Sequence, residues 1–372
     1  MRTAALLRPL AIVAGIAAFA ASECPVVSLR TAAAATGVFA QNTDDLDPQS
    51  LAVAAERTAN ALDAQMETGP FVLGHTRVTT SDLAASARIV AKVARSARDP
   101  RDLTARLAQE CTAYRFRSAA KITGYYEPVL AARRARDARF LYPIYREPPA
   151  PDLAAVTQRL GHAPLREDID RGGALAGLGL EIAWLDDPVE RFLLHVQGSG
   201  RLVFDDGTSE RIGFAATNDA AYRSIGSVML KKGMLARGHA SADEIREWLR
   251  AHPDRRDAIL FENPRYVFFR ETGQEGPVGS LGVSLVGGRS IASDDRYVPR
   301  GILAWLVTTA TAPGSTPVAR FVFAQDAGAA ISGPARVDLF EGSGEQAGTA
   351  AGKRNDSGEL YMLVCREDGR QE

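Results

Sequence analysis

Hydrophobic positions along this chain follow two different periods. Apolar residues recur at helical spacing over residues 50–65. A second helical run starts at Thr80 or Ser81, either of which can cap it, and reaches residue 96 with Leu83, Ile89, Val90 and Val93 on one side. A third spans residues 101–111. From Ile122 onward, short β-type runs broken by Gly and Pro take over. Residues 192–197 and 201–204 read as two strands joined by a hairpin turn at Gly198-Ser199-Gly200. Helices are expected over residues 220–232 and again from Ser241. There Ser241 and Glu244 form a capping box, Ile245, Trp248 and Leu249 the apolar stripe, and His252-Pro253 the stop. Strands are expected at 266–269, 302–307, 319–324, 337–340 and 360–364. No repeat of fixed period is present. Helices followed by many short strands with Gly-rich turns predict a mainly β protein built around a barrel.

Composition adds limits. A chain of 372 residues has room for roughly two domains. Its 46% hydrophobic and 24% charged residues are ordinary for a globular protein. A net charge of −1 without a long basic run excludes a protein built to grip nucleic acid. Arg2 and Arg8, the uncharged apolar run at 10–21 and Ala18-Phe19-Ala20 read as a secretory signal over residues 1–22. That run is shorter than the ~20 residues a membrane span needs. The expected location is therefore exported and periplasmic. Outer-membrane association would run through Cys24, but Glu23 occupies a position where a lipobox needs a small residue, so that lipobox is poor. Residues 23–48, rich in Ala, Thr, Ser and Asp, read as a linker.

Cys111 and Cys365 are either a disulfide, which an exported compartment permits, or two buried free thiols; the sequence leaves both readings open. The five histidines are scattered with no zinc-type spacing, and no P-loop or dinucleotide fingerprint occurs, so no metal and no cofactor are expected. Gln197-Gly198-Ser199-Gly200-Arg201 does not match a nucleophile elbow.

Carboxylates at strand ends are the better lead: Asp294, Asp326 and Asp338. Within Val337-Asp338-Leu339-Phe340, strand alternation turns Asp338 away from Val337 and Leu339. Tyr125, Tyr126, Tyr222 and Tyr266, with Gln197, Gly198, Ser199 and Asn218, are residue types that line a sugar groove. Aromatic faces stack on pyranose C–H surfaces and amides bond hydroxyls. Taken singly, each such residue more often serves the core or a turn.

Taken together, these residues fall in ordered motifs. Thr123-Gly124-Tyr125-Tyr126-Glu127-Pro128 comes first, then Leu178 to Asp187, then His195 to Gly200 and Tyr222-Arg223-Ser224-Ile225-Gly226. Asn263-Pro264-Arg265-Tyr266-Val267-Phe268-Phe269 follows. Ser290 to Pro299, Asp326 to Ile331 and Asp338-Leu339-Phe340 close the series. In this order they resemble the membrane-bound lytic murein transglycosylase A (MltA) family with its C-terminal 3D domain. The resemblance covers nearly all of the chain after residue 48. Glu127, Ala329 and Arg300 depart from the family pattern without touching the catalytic position.

The resemblance implies a double-psi β-barrel domain formed by residues 49–127, with their helices, and 263–372. A smaller β-barrel domain is inserted at 128–262, with a groove between the two. It implies a lytic transglycosylase that cleaves the β-1,4 bond between MurNAc and GlcNAc and leaves 1,6-anhydro-MurNAc ends. Asp338 matches the family's catalytic aspartate and Asp326 its neighbour. The expected partners are peptidoglycan glycan strands and cell-wall synthesis or division proteins, and the expected state is a monomer. Asp338 is expected to have a raised pKa, from burial or from the charge of Asp326. The rival readings are a peptidoglycan hydrolase that pairs Asp338 with Asp326 or Glu127, and a non-catalytic peptidoglycan-binding protein.

Overall fold

The structure is a computed structural model and describes residues 26–29, 37–39, 41–66, 70–236, 241–273, 276–309, 314–328 and 330–366. The expected signal segment lies outside the described residues. β1 (Val26–Leu29) comes first. α1 (Pro48–Asp63) starts where the Asp47 carboxylate accepts from the backbone N–H groups of Gln49 and Ser50. A short hairpin, β2 (Phe71–Leu73) and β3 (Thr76–Val78), leads to α2 (Thr80–Ser96). The α2 cap is Thr79, reciprocated by Asp82, one residue before the expected position. α3 (Pro100–Glu110) is capped by Asp99.

β4 (Cys111–Phe116) joins β1 in the main sheet, β5 (Ala120–Glu127) follows, and the chain then leaves for an insert. The insert runs through β6 (Val129–Ala131), β7 (Tyr142–Tyr145), α4 (Ala150–Leu160), α5 (Arg166–Asp170) and β8 (Glu181–Leu185). α6 (Pro188–Gln197), β9 (Ser199–Val203) and β10 (Ser209–Thr217) follow. α7 (Ile225–Lys231), α8 (Ala242–Ala251), α9 (Pro253–Leu260) and β11 (Val267–Thr272) complete it. The chain then returns through β12 (Ser290–Ser293), β13 (Leu303–Thr309), β14 (Ala319–Asp326), β15 (Arg336–Ser343), α10 (Glu345–Lys353) and β16 (Asn355–Cys365).

In the main sheet the order is β1-β4-β16-β13-β14-β12-β15-β5, and β5 also pairs with β16. That last pairing closes six strands into a barrel, so the expected mainly β architecture with N-terminal helices is what forms. Two contacts in the ring are parallel, β15 with β5 and β12 with β14. The barrel interior is apolar, with Ile122, Ile291, Val322, Val337 and Leu339 fully buried. α1 and α2 pack on the outside through an alanine-rich face against Trp305, Phe321 and Phe323. Small side chains let these helices approach the sheet closely, and the aromatic rings fill the layer between.

The insert has its own sheet, ordered β11-β10-β9-β6, and a β7–β8 pair. Two isolated bridges, Arg133 with Trp184 and Arg146 with Phe269, join that pair to the sheet and bring it round into a small ring. β11 belongs to this ring, so the insert extends past the expected boundary at 262.

Three further expectations change. Residues 192–197 form the end of α6 and not a strand. A six-residue apolar run fits either element; Asp187 as N-cap, Pro188 at the first turn and Gly198 in the left-handed region at the C-cap decide it. Gly198-Ser199-Gly200 is therefore the step from α6 into β9, not a hairpin turn. The helix expected over 220–232 forms only from Ile225, capped by Ser224. Residues 41–48 are no free linker. Asp44 is buried against Arg289, with Oδ2 to Nη1 at 2.7 Å and Oδ1 to Nη2 at 2.9 Å, and Asp45 pairs with Arg320.

Candidate functional site

Val337 and Leu339 point into the barrel core, so Asp338 between them faces the other way, into a cleft between barrel and insert. Parallel pairing of β15 with β5 sets Thr123 directly opposite Asp338. The Thr123 hydroxyl donates to Asp338 Oδ1. Arg336 donates to Thr123 Oγ1 at 2.7 Å, which leaves the hydroxyl proton for the carboxyl group. Gly124 follows Thr123 because α10 packs on the strand there: a Cβ would stand 2.8 Å from Ala351 Cα.

Burial pushes the Asp338 carboxyl above its ordinary range, and the hydrogen bond from Thr123 and the charge of Arg336 offset this only in part. The like charge that adds to the rise is Glu341, not Asp326. Burial is thus the operative cause of the two expected from the sequence.

Asp326 ends β14. Ala292 of β12 stands in register with both Asp326 and Asp338, which puts the two aspartates two strand spacings, about 10 Å, apart. Both oxygens of Asp326 are engaged. Oδ1 accepts from the backbone N–H groups of Ser280 and Ala327, each at 2.9 Å, and Oδ2 accepts from the Tyr125 hydroxyl at 3.0 Å. Burial also raises the Asp326 carboxyl. The Tyr125 phenol is held well above its usual value by burial first and then by Asp326, so it remains a donor.

The cleft holds about 950 Å³. Tyr125, Asp326 and Asp338 line its barrel side; Gln197, Gly198, Ser199 and Tyr222 line its insert side. Tyr222 is raised by burial and then by the charge of Asp338, which marks it as a near neighbour of that carboxyl. Asp294 also lines the barrel side, but a two-pronged pairing with Arg296 (2.9 and 2.5 Å) holds it down at about 2. Asp295 is paired with Arg300, and Glu127 is fully buried against Arg211 and the Ser343 hydroxyl.

Three expected groove residues do other work. Tyr126 lies outside the cleft lining: its ring covers Gly348, where a Cβ would come within 2.9 Å, and its backbone N–H donates to Gln197 Oε1 at 3.3 Å. Asn218 fastens the insert. Its Nδ2 donates to the carbonyls of Pro164 and Pro264, and its Oδ1 accepts from Tyr266 N–H at 2.8 Å. Tyr266 is wholly buried, with its ring 4.4 Å from that of His195.

Two residues escaped the sequence reading. Thr123 lay inside a quoted motif, but only strand register gives it a partner. Phe214 lines the cleft from β10 and is 48% exposed, an aromatic face open to a sugar. An exposed aromatic on a strand carries no signal in one sequence.

Known proteins match this chain in both sequence and fold. Residues 121–270 match the MltA specific insert domain and residues 289–364 the 3D domain. Membrane-bound lytic murein transglycosylase A of Escherichia coli strain K12 is 35% identical over 250 residues, covering 65% of this chain and 65% of that protein. The match thus spans just under two thirds of the curated relative's length. The crystal structure of membrane-bound lytic murein transglycosylase from Agrobacterium tumefaciens superposes with a TM-score of 0.73 at 32% identity, covering 88% of this chain and 94% of that one. Escherichia coli MltA with bound chitohexaose gives 0.70 at 26% identity, covering 87% and 91%.

Proposed function

The chain belongs to the MltA family of lytic murein transglycosylases, and from that premise we propose that it cleaves peptidoglycan glycan strands in the cleft, with Asp338 as the sole acid and base. The observation that carries this reading is the inequality among the cleft carboxylates. Asp338 is the one whose pKa is raised and whose oxygens are not fully taken up by donors or an ion pair. Asp326 spends both oxygens on three donors, Asp294 is too acidic to act as a base, and Asp295 is paired. Glu127 is locked with Arg211. A hydrolase needs a second carboxylate to activate water or to attack. Among the described cleft residues every other carboxylate is already engaged.

One carboxyl suffices when the nucleophile is part of the substrate. Protonated Asp338 gives its proton to the oxygen joining MurNAc C1 to GlcNAc, and that C–O bond breaks. The Asp338 carboxylate then takes the proton of the MurNAc C6 hydroxyl, and O6 bonds to C1 of the same sugar. The 1,6-anhydro ring closes and the acid is restored. Tethering of O6 supplies the proximity that a free water would lack. A carboxyl group raised by burial is suited to both roles, since it keeps its proton to higher pH than an ordinary aspartate and is a stronger base once ionised. Bound chitohexaose in the Escherichia coli relative supports a glycan strand as the occupant. A peptidoglycan substrate supports a periplasmic location. Among the described residues no helix is long and apolar enough to cross a membrane.

The test is mass spectrometry of fragments released from purified peptidoglycan by the mature protein and by Asp338→Asn. Anhydro-MurNAc products from the unmodified protein alone are expected. Reducing MurNAc ends would reinstate a hydrolase, and no products from either protein a binding module.

A further inference from the structure

The two walls of the cleft differ in charge. Among the described lining residues the barrel wall carries Asp294, Asp295, Asp326 and Asp338 with one cation, Arg296. The insert wall carries Arg166, Arg265 and Arg270 and no acidic residue. On the barrel side the charges are met locally, Arg296 by Asp294 and Asp295 by Arg300. On the insert side only Arg166 has a carboxylate partner, Asp170, among the described residues. Arg265 donates only to the carbonyl of Ala220, at 3.4 Å, and Arg270 is exposed; among the described residues no carboxylate pairs with either.

Behind this wall lies more positive charge. Arg166 and Arg191 are both buried and share a single carboxylate, Asp170, whose Oδ2 is 2.9 Å from Arg191 and 3.6 Å from Arg166. His195 adds a donor. Arg166 can only donate, so His195 Nδ1, 3.0 Å away, is an acceptor. Burial and the two arginines keep the ring neutral, so its proton sits on Nε2. That buried N–H has no acceptor among the described residues. His195 and Arg166 both line the cleft. A wall of donors with a surplus cation is the complement of an acceptor that carries negative charge.

We infer that the insert wall, through Arg265 and Arg270, binds carboxylates borne by the glycan strand, and so selects anionic strands over uncharged ones. This rests on the reading of the cleft as a glycan-strand site. On a strand of that kind the carboxylates come from the lactyl group of MurNAc or from the peptide stem attached to it. The barrel wall opposite offers these groups no unpaired cation among its described lining residues, so the two walls together set which edge of the strand faces Asp338. Neutral sugar faces remain to Phe214 and Tyr222, which recognise shape and not charge.

The experiment measures binding to full-length Asp338→Asn protein, which turns its ligand over about a thousandfold more slowly. Three hexasaccharide probes are used: strands with peptide stems, stem-free strands with lactyl carboxylates, and the stem-free strands as methyl esters. The first two are expected to bind more tightly than the ester, with a preference that shrinks as salt rises. Arg265→Gln with Arg270→Gln reduces that preference about tenfold, the effect of losing charge-assisted hydrogen bonds. Arg270→Lys retains part of it. Preference for the stem-free anionic probe alone assigns the lactyl carboxylate, which an attached stem converts to an amide; preference for the stem-bearing probe alone assigns the stem carboxylates, and preference for both assigns either source of carboxylate. Equal affinity for all three, a preference insensitive to salt, or equal loss on every probe in the double variant overturns the inference. Anhydro products from the unmodified protein would then leave the cleft's assignment standing. Failure to bind any probe would remove both.

Discussion

Thr123 and Asp338 are partners across a parallel strand pair, separated by 215 positions in sequence and joined by a hydrogen bond from hydroxyl to carboxylate. This bond favours the charged form of Asp338 and works against the burial that raises its pKa. Thr123→Val removes the opposition, so the Asp338 pKa rises further. Activity that needs protonated Asp338 then persists to higher pH, and the alkaline limb of the kcat/KM profile moves upward. The maximum falls by up to about a hundredfold as the carboxyl loses its orientation. A pH–rate profile checks both; a limb that stays in place would show that Asp338 is not the titrating group.

The same carboxyl costs stability. Its folded-state pKa is raised above the usual 3.8, so the folded state holds the proton more tightly than the unfolded chain. That contribution is full below the unfolded value and is lost as pH rises through the folded one. Asp338→Asn is therefore expected to raise Tm at pH 7 by roughly 2 °C. The gain disappears in acid, where the native carboxyl is protonated. Catalysis falls by about a thousandfold in the same variant. Thermal melts at pH 4 and pH 7 test the crossover.

Asp326 is expected to act by holding Tyr125 and the loop at Ser280. Tyr125→Phe removes one donor from a buried carboxylate, raises the Asp326 pKa further and lowers activity without changing the products. Asp326→Asn gives the same products at a rate well above that of Asp338→Asn. Equal loss in both variants would mean that Asp326 takes part in proton transfer.

Cys111 and Cys365 are joined, on strands β4 and β16 that pair at these positions. The bond closes a loop of 254 residues and ties the end of the last barrel strand to the start of the main sheet. Cys111→Ser with Cys365→Ser is expected to lower stability by about 3 kcal/mol. Denaturant unfolding of the variant against the oxidised protein checks it.

Asp44 and Arg289 form a fully buried ion pair, and Asp44 also accepts from the Phe321 backbone N–H. Asp44→Ala leaves Arg289 charged in the interior and is expected to cost about 3–5 kcal/mol. A double variant with Arg289→Met recovers part of that, because no uncompensated charge remains. Chemical denaturation of the single and double variants measures the difference.

Much was legible along the chain. Helices α1 to α3 were readable because period and caps are local, as Asp47, Thr79 and Asp99 each bond their own first turn. Strands β13 to β16 were readable as short apolar runs: β13, β14 and β16 are buried on both faces, and β15 alternates at its start, which also pointed Asp338 out of the core. The order of the motifs identified the family, and with it the aspartate proposed to carry the reaction. The six-residue run at 192–197 failed because its apolar pattern suits two elements, and caps outside the run chose between them. Tertiary structure alone decided what each polar side chain meets. Register put Thr123 opposite Asp338; nothing in either segment specifies the other. Burial sealed Tyr266 and spent Asn218 on the insert's own carbonyls, although both had the chemistry of a groove. Return of β11 to the insert sheet placed Arg265 and Arg270 across the cleft from the aspartates. Local pattern governs what a segment can bury. The partners of a charge are set by which distant strands become neighbours, and that is a property of the closed barrel and its insert.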